Sequence, residues 1–270
     1  MRTIIIANGL LPDPAAHSRL LRADDRVIAV DGGAAHAQAM GILPHEVIGD
    51  MDSLPAELRA TLEAAGTRFH AYPADKDETD LELALLRAVE LGAAEVLILG
   101  ALGGRLDQTL ANLFLLAHPA LAGVDVRLVE GAQAAFLIRQ QALIEGQPGD
   151  TVSLIPLGGD ARGVTAEGLR WPLHGETLRL GATRGISNVL LQAQARVTVE
   201  EGVLLCVVAK QVCKYASRQV CKYASMQVCK YASMQEGKDE KECVVHRAGF
   251  GVGGVRRAGY GRADDGGNGG

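Results

Sequence analysis

Five apolar runs punctuate residues 2–131: RTIIIAN, RVIAVDGG, HEVIGD, EVLILGALGG and DVRLVEG. Each is β-branched or leucine-rich, most are apolar at consecutive positions, and several stop abruptly at Gly or Asp. A strand that is apolar at consecutive positions has to be covered on both faces. The cover is at hand, because AAHAQAMGI, PAELRATLEAAG, TDLELALLRAVELG and LDQTLANLFLLAHP carry helical apolar spacing between these runs. Strands alternating with helices predict an α/β fold built on a mostly parallel sheet with flanking helices. The helix ends agree. Pro55 suits a first helical turn, Gly66 and Gly92 suit C-terminal caps, and Thr79 with Glu82 makes a capping-box pattern.

The texture changes near residue 140. TVSLIPLG, GVTAEGLRWPL, TLRLGA and NVLLQAQARVTVEEGVLLCVVA read as short strands with Gly or Pro turns and no helix, which predicts a small antiparallel β-sandwich domain. Within it, QARVTVE and GVLLCVV flank a Glu-Gly turn and predict a hairpin. A third change comes near residue 209. Lys76 is the only lysine before Lys210, and all five cysteines (Cys206, Cys213, Cys221, Cys229, Cys243) lie at or beyond 206. The first 205 residues therefore hold no disulfide and no thiolate metal site. From 211 to 234 the unit QVCKYAS recurs with period eight. On a helix each repeat would rotate by roughly 80° from the last, so no fixed apolar stripe forms. The expected organisation is an α/β nucleotide-binding domain over 1–140, a β-sandwich domain over 141–209, and a repeat-containing tail over 210–270, disordered or weakly helical.

The formal net charge of −5 gives no reason to expect a nucleic-acid partner. No apolar run reaches the length of a membrane span, and the start MRTIIIANGLLPDP is broken by Asn8, Gly9 and two prolines rather than built as a leader. The expectation is a cytoplasmic protein with no membrane partner.

Four motifs could carry chemistry, and all fall where a strand ends or a helix begins. VIGDMDS ends a strand on Asp50 and Asp52; two carboxylates there suit Mg²⁺, although Asp52 or Ser53 as a helix N-cap is the plainer alternative. KDETDLE places Asp80 in the first turn of a helix, and equally suits a capped, solvated helix start. GALGGRLDQTLAN runs from a strand through Gly103 and Gly104 to Arg105, Asp107 and Gln108; glycines let backbone N–H groups approach a phosphate, and the arginine could grip its oxygens. It lacks the Gly-Lys-Ser/Thr ending of a Walker loop. AVDGGAAHA ends another strand on Asp31, Gly32 and Gly33. In an open parallel sheet these places share one edge, where ligands bind. Carboxylates, one arginine and a glycine turn on one edge make a Mg²⁺–nucleotide site.

DGGAAHA, VIGDMDS, DETDLELAL, GGRLDQTLAN, VSLIPLG, VTAEGLRWPL and GISN occur in the order found in thiamine pyrophosphokinases (thiamine diphosphokinases), a family that the chain resembles over residues 3–209. The resemblance implies transfer of a pyrophosphoryl group from ATP to thiamine, giving thiamine diphosphate and AMP, by a Mg²⁺-dependent homodimer with active sites between subunits. It implies Asp50, Asp52 and Asp80 as metal-binding carboxylates, and Arg105 with Asp107 as the nucleotide-loop pair. Gln108 stands where the family accepts His or Gln, and Ser187 and Asn188 match the Ser-Asn that helps hold thiamine. Some members place a tryptophan on the last strand against the thiamine pyrimidine; here Cys206 stands at that place, and the one tryptophan, Trp171, belongs to the GLRWPL turn. A pterin pyrophosphokinase and a binding module without catalysis are the competing readings.

Overall fold

In the computed structural model, which describes residues 1–211, the apolar runs become β1 (Arg2–Ile6), β2 (Arg26–Val30) and β3 (Glu46–Gly49). They are followed by β4 (Arg68–Ala71), β5 (Glu95–Leu99) and β6 (Asp125–Glu130). All six lie parallel in the order β4-β3-β2-β1-β5-β6. The motif pattern did not announce β4. It is a four-residue edge strand, RFHA, with no fully buried position, so it lacks the apolar run that marks the others.

Helices α1 (Pro14–Ser18), α2 (Gly33–Ala39), α3 (Ala56–Ala64), α4 (Asp80–Glu90) and α5 (Leu106–Leu115) fill the connections. Strand alternation sorts the core onto two faces. Ile5, Ile28, Ile48 and Ile98 point to one side and meet Leu81, Ala84, Leu85 and Ala88 of α4. Ile4, Ile6, Val27, Leu97 and Leu99 point to the other and meet Ala37 and Met40 at α2, while Ala29 and Val47 meet Leu58 and Leu62 of α3. Each fully buried isoleucine contributes about 1.5–3 kcal/mol relative to exposure.

The remaining strands are β7 (Gln133–Ile138), β8 (Gln141–Glu145), β9 (Thr151–Pro156), β10 (Ala161–Glu167), β11 (Leu173–Leu178), β12 (Asn188–Val189), β13 (Gln194–Thr198) and β14 (Leu204–Ala209). Four of them extend the large sheet in antiparallel fashion, giving ten strands in the order β12-β9-β14-β7-β6-β5-β1-β2-β3-β4. The other four form a second antiparallel sheet, β11-β10-β13-β8. Ile138, Val152, Leu154, Leu204 and Cys206 of the extension pack against Ile144, Val164, Ala166, Ala195 and Val197 of the second sheet. The fold is thus a mostly parallel α/β sheet with an antiparallel sheet layered on its C-terminal extension.

The hairpin expected over 194–209 does not form. β13 pairs with β8 and β10, whereas β14 pairs with β7 and β9 in the other sheet. The burial pattern explains it. β13 alternates and covers one face, but β14 is buried on both, as only a central strand can be. Gly202, at φ +94° and with its α-carbon face against the Asp160 carbonyl, turns the chain from one sheet to the other.

At the amino ends of β2–β4 sits a fully buried carboxylate, Glu46. Arg26 donates to its Oε1, Arg87 Nε donates to Oε2 at 2.8 Å, and His70 Nε2 lies 2.8 Å from Oε2. One side chain ties β2, β3, β4 and α4 together. No helix among the described residues is long and apolar enough to cross a membrane. The repeats, Cys213, Cys221, Cys229, Cys243 and the glycine-rich end lie outside the described residues.

Candidate active site

The chain runs outward from β1 to β4, then returns through α4 to place β5 on the other side of β1. Strand order reverses between β1 and β5, and ligands of open parallel sheets bind beyond the carboxyl ends of the strands at such a switch point. Asn8 and Gly9 follow β1, and the Gly100–Gly104 loop follows β5. Gly9 N–H donates to the Gly100 carbonyl at 2.6 Å, and Leu10 N–H to Leu102 at 2.9 Å. Gly33 has to be glycine, because a Cβ there would sit 2.1 Å from the Ile6 carbonyl oxygen and push α2 off β1.

On the β2–β3 side of this switch point, Asp31, Asp50 and Asp52 each bring a carboxylate oxygen within 4.8 Å of the others. Asp31 is nearly buried and left-handed at φ +46°. The Ser53 hydroxyl donates to its Oδ2, while Oδ1 is buried and has no partner. Asn8 Nδ2 donates to Ser53 Oγ at 3.3 Å, so the loops after β1, β2 and β3 are stitched together. Met51, also left-handed at φ +67°, sets Asp50 and Asp52 on the same side of the turn. The Asp50 carboxyl, by hydrogen bond and by charge, pushes the Asp52 carboxyl up from its ordinary value, with Asp31 adding to the push. Crowded carboxylates with one oxygen buried and unpaired form a donor set for a hard cation such as Mg²⁺.

Asp80 is not part of this group. It begins α4 behind the N-cap Thr79, whose hydroxyl accepts from Glu82 N–H at 3.2 Å, and its Oδ1 lies 3.0 Å from Lys76 Nζ. The strand-end signal located Asp31, Asp50 and Asp52. It passed over Asn8, and it weighed Ser53 only as a helix N-cap, whereas the N-cap of α3 is Pro55 and Ser53 serves Asp31.

On the β5 side, Gly103 and Gly104 take φ +87° and +77°, a backbone closed to other residues at little cost. Arg105 is the N-cap of α5, and no side chain caps the helix. First-turn N–H groups left without a side-chain cap suit a phosphate. The Arg105 guanidinium lies across Asp107, at 2.5 Å from Oδ2 and 3.2 Å from Oδ1, which lowers the Asp107 carboxyl and raises the arginine. Both side chains are exposed, as is Gln108, so the pair opens at little cost.

In the β part, Ser187 is exposed and left-handed at φ +58°, with its N–H donating to Ser153 Oγ at 3.0 Å. Asn188 is buried, and its side chain is spent on neighbours. Oδ1 accepts from Trp171 N–H at 3.0 Å and Val189 N–H at 2.9 Å, while Nδ2 donates to the Trp171 carbonyl at 2.6 Å. Asn188 therefore locks the Trp171 backbone and leaves the indole half exposed, with the Arg170 guanidinium 5.7 Å from the ring centroid. Seventeen residues separate the two, and nothing in either motif alone signals the pairing. Cys206 has no exposed surface; burial pushes its thiol up to about 12, so it is an inert core residue.

Carboxylates that could hold a cation after β2 and β3, and a glycine loop leading into an uncapped helix after β5, at the switch point of a parallel sheet, are the features of a nucleotide-using transferase of the α/β class. Comparison with known proteins narrows the class. Residues 17–128 match the family model described as thiamin pyrophosphokinase, catalytic domain, and residues 140–204 match thiamin pyrophosphokinase, vitamin B1 binding domain. Thiamine pyrophosphokinase of Bacillus subtilis is 32% identical over 215 residues, covering 77% of this chain and 98% of that protein. The crystal structure of the Bacillus subtilis enzyme superposes with a TM-score of 0.71 at 30% identity over 78% of this chain and 100% of the other. The yeast thiamin pyrophosphokinase structure shares the fold at a TM-score of 0.63 and 18% identity, over 77% of this chain and 86% of that one. The chain belongs to the thiamin pyrophosphokinase family.

Proposed function

We propose that the chain transfers the terminal pyrophosphoryl group of ATP to the hydroxyl of thiamine, in sites that each draw on two subunits. The thiamine oxygen forms a bond to the β-phosphorus, the bond from that phosphorus to the α,β-bridging oxygen breaks, AMP departs with that oxygen, and the hydroxyl proton passes to solvent. The observation that carries this reading is the carboxylate cluster with its orphaned Asp31 oxygen, together with the uncapped start of α5, both at strand ends on the same edge of the sheet.

Asp50 and Asp52 with Asp31, and Asp80 from the start of α4, are the residues that would hold Mg²⁺. When bound, the ion supplies charge neutralisation on the phosphate oxygens. Gly103, Gly104 and the first turn of α5 offer N–H groups to the phosphates. Arg105, released from Asp107, neutralises charge on the transferred group. Gly32 and Gly33 keep α2 close enough to β1 for the nucleotide to lie at the switch point, and Gln108 faces it from α5. Trp171, held by Asn188 beside Ser187, offers an aromatic face to the cationic thiazolium.

Two subunits are needed because one chain keeps these parts apart. β12, which carries Asn188, is five strands from β5 and eight from β3 in the same sheet. At about 4.8 Å per strand that is on the order of 24 Å and 38 Å. α5 buries none of its residues and exposes Leu106, Leu110 and Phe114 at i, i+4 and i+8. Such a stripe beside the nucleotide loop suits a homodimer contact. The test is to mix the protein with Mg²⁺-ATP and thiamine and follow phosphorus NMR. Thiamine diphosphate with AMP supports the reading. ADP with thiamine monophosphate, or no thiamine-dependent product, refutes it.

A further inference from the structure

We propose that Lys76 is a resident counter-ion for Asp80 and becomes a phosphate ligand when Asp80 is taken into the metal-binding set. The inference rests on the proposed function above. Lys76 stands alone as a lysine in the first 209 residues, in a body that otherwise uses arginine. Its side chain is only 13% exposed, unusual for lysine. It lies in the loop between β4 and α4, and that loop is anchored at the active edge: Tyr72 N–H donates to the Gly49 carbonyl at 3.0 Å, one residue before Asp50. The loop is otherwise acidic, with Asp75, Asp77 and Glu78 around the lysine.

The way the pair is made is informative. Nζ lies 3.0 Å from Asp80 Oδ1 and donates to the Pro73 carbonyl at 3.0 Å. Yet Oδ1 is buried and receives no directed hydrogen bond. The contrast is Glu46, where both oxygens accept directed bonds from arginine. A partly buried pair meant only to hold structure gains most from well-aligned hydrogen bonds that offset desolvation. The Lys76–Asp80 pair has the charge balance without the alignment. Its carboxylate keeps a lone pair uncommitted and its ammonium keeps donors uncommitted, and both are what an exchange of partners needs. Lysine suits the second role, as a compact cation on a flexible stem that serves phosphate as a point charge.

Removing the ammonium then has two opposed effects. Asp80 loses its competitor, so the four carboxylates hold a bare divalent cation more tightly. The loaded site loses a positive charge, so it holds a metal–nucleotide complex less tightly. A lysine that only staples its loop would shift both affinities the same way, or neither. The test is isothermal calorimetry on the full chain, titrated with Mg²⁺ alone and with Mg²⁺ plus α,β-methylene-ATP, comparing wild type, Lys76→Met and Lys76→Arg. For a pair that is partly screened, Lys76→Met is expected to tighten Mg²⁺ about tenfold and weaken the nucleotide about tenfold. Lys76→Arg should keep nucleotide affinity within about threefold. In an Asp80→Asn background the tightening of Mg²⁺ by Lys76→Met should vanish. Wild-type protein that binds neither ligand would overturn the proposed function itself. Normal wild-type binding with parallel or absent shifts in Lys76→Met would overturn the Lys76 assignment alone.

Discussion

Replacing Glu46 with Gln keeps the size and removes the charge that Arg26 and Arg87 share. Burial alone would raise this carboxyl, but hydrogen bonds from Arg87 and Arg26, then their charges, hold it at about 2 against an ordinary 4.5. A depression of about 2.5 units corresponds to roughly 3.4 kcal/mol of native-state preference for the ionised form. Glu46 itself has no exposed surface, but the Arg26, Arg87 and His70 side chains are 25%, 27% and 31% exposed, and water offsets part of that. The expected loss at pH 7 is therefore about 2–3 kcal/mol, or a fall in melting temperature of about 5–10 °C. The sign with pH follows from a lowered pKa: the contribution is complete above pH 4.5 and disappears as pH falls through about 2. Urea unfolding of wild type and Glu46→Gln at pH 7, 4.5, 3.5 and 2.5 measures this directly, and taking the difference removes the acid sensitivity of every other carboxylate. The gap should hold to pH 4.5 and narrow below it. A gap under ~0.5 kcal/mol at pH 7, or one that stays constant to pH 2.5, would show that Glu46 is not the ionised hub of this corner.

Asp31→Asn removes the orphaned cluster oxygen and should lower Mg²⁺-dependent turnover roughly 100-fold or more, with unchanged or higher thermal stability as like charges separate; a lowered melting temperature with normal turnover would refute its place in the metal set. Trp171→Ala should raise the thiamine KM about 3–30-fold and alter the ATP KM little, measured by steady-state kinetics with each substrate varied; equal effects on both would point to misfolding of the β part. Mixing Asp52→Asn with Trp171→Ala protein at limiting thiamine should restore about a quarter of wild-type activity, because half of the re-formed dimers are mixed and each holds one intact site; simple addition of the two residual activities would place each site within one subunit.

Much of the parallel sheet was legible because β1, β2, β3 and β5 are buried on both faces and so appear as unbroken apolar runs. Where that condition failed, reading failed. β4 is an exposed edge strand of mixed composition, and no hydrophobic pattern marks it. The expected hairpin over 194–209 rested on local turn chemistry, yet the sheet to which a strand belongs is decided by long-range pairing. Phe136 opposes Cys206 across seventy positions of sequence, and no local signal encodes that register.

The site was legible as a set of strand ends and illegible as a set of contacts. A carboxylate after an apolar run marks the ligand-binding edge of a parallel sheet whatever its partners are, so Asp31, Asp50 and Asp52 could be read one at a time. That Asp31 joins Asp50 and Asp52 while Asp80 is held by Lys76 depends on the order in which strands lie side by side. Among the described residues, the three left-handed non-glycine positions are Asp31, Met51 and Ser187, and all fall in motifs singled out for chemistry. An L-residue in that region costs energy unless its surroundings fix it. Glycine would remove the strain, but at Asp31 it would also remove a carboxylate of the cluster. Met51 argues the same point from the other direction. Its side chain is buried beside Leu54 and Leu58 of the core, so the turn that aligns Asp50 and Asp52 is held by packing rather than by glycine's freedom. A Met51→Gly chain would relax the backbone at the cost of the anchor, and the alignment of the two carboxylates would be lost with it.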